Sequence, residues 1–217
     1  MNTLPEFESR LTSTQRKLWR QLDSPLAIQS YLDGLPYIAE ERDRSPLAVI
    51  QDGQCHCLDG GIFAALALSR LGHRPRLLDL VPDPGKDDDH VLALFQYRGT
   101  WGAIAKSNYV GLRFREPVYR GLRELVMTYF EWFNDTAREK TLRGYTRPLD
   151  LARLDGFDWM WDEAGIREVS RRLYRLKPVF LVPPECAARL SPLDARAYAA
   201  NTQGTDFDWV YGVRSNQ

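Results

Sequence analysis

From residue 57 to 71 the chain reads CLDGGIFAALALSRL, apolar or small on nearly every face. That pattern predicts a helix enclosed by the rest of the protein rather than one lying on its surface. Gly72 stands at the capping position and Pro75 just beyond it, and the next run, RLLDLV, reads as a strand. DDDHVLALFQYRGTWGAIAKSN then reads as two strands around a tight turn at Arg98, Gly99 and Thr100. Residues 112–116 add a further strand that Pro117 ends.

Around this centre the periodicity is helical. Residues 14–22 read as a surface helix capped by Ser13 or Thr14. Ser24 and Pro25 read as cap and first position of a second helix, with Leu26, Ile28, Tyr31 and Leu32 as its buried stripe. A charged loop, Glu40 to Arg44, separates this pair from the apolar run. Residues 120–133 place Leu122, Leu125, Val126, Tyr129, Phe130 and Phe133 on one side of an amphipathic helix. Beyond it, residues 143–151 cross the sheet once more, 163–176 are helical, and PVFLVPP is an edge strand limited by its prolines. The elements describe one α+β domain in which helix 57–71 lies on an antiparallel sheet.

Composition narrows the function. At 217 residues the chain is long enough for one full core and short for two. Lysine plus arginine and aspartate plus glutamate both number 29, so charge alone recruits neither nucleic acid nor membrane. No stretch reaches the roughly 18 apolar residues of a membrane span, and the first ten residues lack a signal-peptide layout, which predicts a cytoplasmic address. Three cysteines (Cys55, Cys57, Cys186) do not make a disulfide scaffold. The oligomeric state is not readable, and no cofactor is expected.

Cysteine is a nucleophile as its thiolate, and a helix N-terminus favours that anion. Cys57 sits at such a terminus. A base and a group that orients it complete the activation. The chain has three histidines (His56, His73, His90), and His90 opens the first strand of the hairpin, where it can reach Cys57 if that strand lies on the helix.

This order of cysteine, buried helix, histidine strand and tryptophan strand resembles the transglutaminase-like superfamily of the papain-like fold, over residues 28 to 108. YLDGLPY is similar to the amphipathic helix and tyrosine that precede the site in that family, and CLDGGIFAALALSRLGHRP to its nucleophile helix. DHVLALFQYRGTWGAIAKSN is similar to its histidine and tryptophan strands. Aligning Gly72 with the family's turn glycine selects Cys57 over Cys55. HCLDGGIFAA, WGAIAKSN and KTLRGYTRPLDL also resemble a narrower bacterial group, over residues 25 to 151, which leaves 152–217 as a C-terminal extension; that likeness implies no reaction.

The resemblance implies acyl transfer in a Cys–His hydrolase or acyltransferase. Cys57 would attack an amide or isopeptide carbonyl of a peptide or protein, His90 would move the proton, and the Cys57 N–H with Gln51 or Gln54 would hold the oxyanion. The family's usual aspartate is missing: where it belongs, Ala105 to Ser107 contain no acid. Asn108 or Ser107 takes its place in this reading. The alternative is a catalytically inactive module that binds a peptide or protein in the same cleft.

Duller readings stand beside these. Cys57 can be a buried structural thiol, and Cys55, His56 and Cys57 can hold a metal, although no second ligand pair accompanies them. Asp87, Asp88 and Asp89 fit a solvated loop better than a calcium site. Arg113, Arg115 and Arg120 around Glu116 fit a salt-bridged face better than an anion site.

Overall fold

The fold is seen in a computed structural model that describes residues 4–210. Five helices come first: α1 (Leu4–Ser9), α2 (Ser13–Gln21), α3 (Pro25–Asp33), α4 (Pro46–Asp52) and α5 (Cys57–Arg70). The sheet strands are β1 (Arg76–Pro82), β2 (His90–Tyr97), β3 (Thr100–Ile104) and β4 (Arg115–Tyr119). After α6 (Leu122–Met127) come β5 (Leu142–Thr146) and β6 (Leu149–Asp150). The chain ends in α7 (Glu163–Leu173), β7 (Pro178–Phe180), α8 (Pro184–Ala187) and α9 (Ala195–Asn201). All pairings are antiparallel, in the order β4-β3-β2-β1-β5-β7, with β6 also paired to β1. This is the expected α+β architecture, a central buried helix on an antiparallel sheet.

Alternation along the strands divides the core in two. Leu77, Val91, Ala93, Phe95 and Ile104 face α5. Leu78, Leu80, Leu92, Leu94 and Ala103 face the opposite side, where Leu125, Val126, Tyr129 and Phe133 cover them. The helix lies unusually close to the sheet because Gly60 and Gly61 carry no side chain. A Cβ on Gly60 would stand 2.4 Å from the Cβ of Lys106, and one on Gly61 would stand 2.8 Å from Val91 Cγ1. The tight turn after β2 puts Arg98 and Gly99 at φ 48 and 87, the left-handed pair such hairpins require.

Several details differ from the sequence reading, among them β4, which begins at Arg115 and runs through Pro117 to Tyr119. Thr12, not Ser13 or Thr14, caps α2, accepting from the Gln15 N–H at 3.2 Å. Leu26 is 59 % exposed, because the buried side of α3 runs through Ile28, Gln29 and Leu32. The segment expected as helix 120–133 stops at Met127 and resumes as a 3-10 turn, Phe130–Trp132. The charged loop also leads into an unforeseen helix, α4, with Ser45 as cap and Pro46 at its first turn. Among the described residues no helix is long and apolar enough to cross a membrane.

Candidate active site

Three segments converge on the start of α5. His56 is the residue before the helix, Cys57 its first residue and Asp59 its third. Residues 36–38 run alongside, with Cys55 N–H donating to the Pro36 carbonyl (3.3 Å) and Ile38 N–H to the Cys55 carbonyl (3.4 Å). The loop before α4 brings Asp43 and Arg44. Asp59, fully buried, accepts the Arg44 N–H at 2.7 Å and the His56 N–H at 3.3 Å.

The His56 ring lies among these groups. Its Nε2 is 3.2 Å from Asp59 Oδ1 and 3.5 Å from Asp43 Oδ1, and the ring also hydrogen-bonds Cys57. Burial alone would lower the His56 pKa, but the hydrogen bonds to Asp43 and Cys57 and the charge of Asp59 outweigh it and raise the pKa well above its usual value. His56 therefore holds a proton more firmly than a free imidazole does. Burial pushes the Cys57 thiol above its usual value, and the hydrogen bond and charge of His56 offset this only in part. Asp59 is pushed up to about 6 by burial, against the pull of His56 and two backbone N–H groups. Cysteine, histidine and carboxylate thus stand in line, all from the first turn of one helix and the loop before it.

The remaining neighbours of the thiol are acids and phenols. Cys57 Sγ lies 3.9 Å from the Asp89 carbonyl, and the Tyr37 hydroxyl hydrogen-bonds the sulfur. The Asp89 carboxyl bonds Asp79 and receives the Tyr174 hydroxyl. Burial, then the proximity of Asp89, pushes Asp79 up to about 9, so this carboxyl pair holds a proton at neutral pH.

His90, expected beside the thiol, lies with its ring elsewhere. Val91 faces α5 and meets Gly61, so the preceding residue points to the far side of the sheet. There the His90 Nε2 contacts the Leu112 carbonyl at 2.8 Å, and burial lowers the ring to about 4. Ser107 and Asn108 are likewise committed elsewhere. Ser107 Oγ accepts the Tyr109 N–H at 2.9 Å, and the Asn108 carboxamide pairs with the backbone of Asp206. The structure does bring His90, Ser107 and Asn108 together, around a narrow cavity of about 50 Å³ that Tyr37 also lines. A larger cleft of about 320 Å³ adjoins it, sharing Tyr37, Ser107 and Asn108.

His56 is the histidine that the structure places against Cys57, and its signal in the sequence was the His-x-x-Asp spacing of a helix start. Asp43, His56 and Asp59 also offer metal-ligand atoms within 4.8 Å of one another. Arg44, only 2 % exposed, stands 3.8 Å from Asp59 Oδ2, so cations of the chain itself already balance these acids. Cys55 belongs to the core on the helix side, its thiol pushed up to about 12 mainly by burial.

No family model matches the chain, and no curated protein matches it. Among solved structures, it is similar to LapG of Legionella pneumophila. One LapG structure covers 50 % of this chain and 72 % of its own, at 14 % identity and a TM-score of 0.37. An EGTA-treated LapG covers 75 % of this chain and 94 % of its own, at 13 % identity and a TM-score of 0.41. Both TM-scores lie under 0.5, and the site is defined by its own geometry. That geometry keeps the order implied by the transglutaminase-like resemblance: a thiol opening a buried helix, then strands bearing His90 and Trp101.

Proposed function

We propose that the chain is a cysteine acyl-transfer enzyme, acting on amide or isopeptide bonds of a peptide or protein, with Cys57 as nucleophile and His56 as its proton partner. The contact of the His56 ring with both Cys57 and the Asp59 carboxylate carries this reading. The imidazolium stabilises the Cys57 thiolate, as does the end of α5. The sulfur forms a bond to the carbonyl carbon; as the tetrahedral adduct collapses, the C–N bond breaks and His56 gives its proton to the leaving amine. Neutral His56 then takes a proton from water, whose oxygen attacks the thioester and releases the acid and the thiolate. An amine in place of water would give transfer rather than hydrolysis. Asp59 and Asp43 hold the ring and its charge, the role an aspartate has in such triads.

A second reading, a module that binds peptide without cleaving it, is favoured by the burial that raises the Cys57 thiol. A peptidyl vinyl sulfone probe separates the two. The enzyme takes up the label on Cys57, located by peptide mass spectrometry, and loses it in Cys57→Ser and His56→Ala. Label confined to the exposed Cys186 would leave only the binding module.

A further inference from the structure

We propose that Asn108 is a reader of peptide backbone at the mouth of the cleft beside the thiol, and that residues 205–210 of the chain itself occupy its place and must be displaced by substrate. This rests on the reading of the cleft as the entry for a polypeptide.

The Asn108 carboxamide makes a two-point contact with one residue. Its Nδ2 donates to the Asp206 carbonyl at 2.7 Å, and its Oδ1 accepts the Asp206 N–H at 3.1 Å. Asn supplies one donor face and one acceptor face, which match the N–H and C=O of any residue whatever its side chain. The Asn108 main chain joins in, its carbonyl accepting the Thr205 hydroxyl at 2.8 Å. Such a contact recognises polypeptide as a class and ignores its sequence.

The occupying segment is anchored at its start. Fully buried Asn201 at the end of α9 donates to the Trp132 carbonyl and to Asn134 Oδ1, both at 2.9 Å, and accepts the Gly111 N–H at 2.8 Å. Gly204, at φ 75, then turns the chain back over the site. Past this glycine the segment forms one 3-10 turn, Phe207–Trp209, with Phe207 55 % exposed. Trp209 and Val210 are half-buried, Val210 against the far-side core, so displacement of the segment uncovers two apolar side chains and little else.

Its position connects it to the reacting group. Gln203, Gly204 and Asp206 line the larger cleft, and Val210 lines the narrow one with Tyr37 and His90. Tyr37 borders both cavities and hydrogen-bonds the Cys57 sulfur. Cys57 lines neither cavity, and Tyr37 is the side chain that connects the space beside Asn108 to the nucleophile.

The test uses the full chain carrying Thr205→Val and Asp206→Pro, which remove the hydroxyl and the N–H that bind Asn108. A fluorescein-labelled peptide with the sequence of residues 204–210 is titrated in and read by anisotropy. The double variant binds it saturably. The wild type, whose own segment competes at high effective concentration, binds about tenfold more weakly or not at all. Adding the isosteric Asn108→Asp to the double variant abolishes binding, because the new carboxylate loses the donor and repels the Asp206 carbonyl. Near-UV circular dichroism checks the fold of each variant. A folded double variant that binds no better than the wild type, or undiminished binding after Asn108→Asp, overturns the proposal. Cys57→Ser in the double variant leaves peptide binding intact, so a chain without acyl-transfer activity still passes or fails this test separately.

Discussion

His56 Nε2 stands 3.2 Å from Asp59 Oδ1, three residues further along the same helix start, while the same ring bonds the Cys57 sulfur. Proton partner and orienting acid therefore come from a single turn of backbone, and a sheet strand is not needed to deliver either. A histidine before the helix and an aspartate at its third position are the two residues a helix start brings back on each other. In the proposed mechanism that local contact also serves to activate the thiol.

If His56 activates Cys57, its removal acts on the thiol and removal of His90 does not. The pH profile of Cys57 alkylation by iodoacetamide, followed by peptide mass spectrometry, shifts to higher pH in His56→Ala because the effect that lowers the thiol is lost. In His90→Ala the profile stays where it was, while stability falls by about 1–3 kcal/mol as the buried Leu112 carbonyl loses its partner. A shift in His90→Ala with none in His56→Ala would restore the strand histidine.

The glycine pair predicts a steric effect at the same helix. Gly60→Ala forces a methyl against Lys106 Cβ, a contact no rotamer change relieves, and costs about 1–3 kcal/mol by urea unfolding. The adjacent Ala64 and Ala65 are also fully buried in α5, so helix propensity is not what excludes alanine at Gly60. A gain in stability on Gly60→Ala would contradict the close approach.

The carboxyl pair predicts how stability responds to pH. Asp79 holds its proton to about 9 in the folded chain, whereas an unfolded aspartate releases it near 3.9. Between those values the folded state binds more protons, so this group makes stability fall as pH rises from about 4 to about 9. Asp79→Asn keeps a donor toward Asp89 and does not titrate. It raises the melting temperature at pH 8, by about 2–4 °C for each 1 kcal/mol recovered, and flattens its decline between pH 5 and 8. An unchanged slope would place the shared proton elsewhere.

Much of this was legible in the residues. The apolar run ending in Gly72 announced α5, Arg98 and Gly99 announced the hairpin, and Ser24 with Pro25 announced α3, because each is a local pattern with a local cause. Ser45 with Pro46 carries the same cap signal and marks α4, but the charges just before it masked the apolar residues it buries. The site divided along the same line. Cys57 at a helix start could be read, while the choice of histidine turned on which face of β2 meets α5. Period two excludes His90 once Val91 is known to touch Gly61, and that contact belongs to tertiary structure. Asn108 was expected to orient the histidine, whereas its carboxamide pairs with Asp206, 98 residues away in sequence and beyond any spacing argument.

Gly60 and Gly61 bring backbone against side chain with no layer between, so α5 can neither slide along nor tilt on the sheet. The thiol is in effect mounted on an anvil, and its distance from the Asp89 carbonyl is set by the frame of the molecule. Adjustment to a substrate then falls to the parts that are not wedged in this way: residues 36–38, held to Cys55 by two long backbone bonds, and the strap after Gly204. If the chain turns over a substrate as proposed, variants that act through motion will map to those two stretches rather than to the helix and sheet.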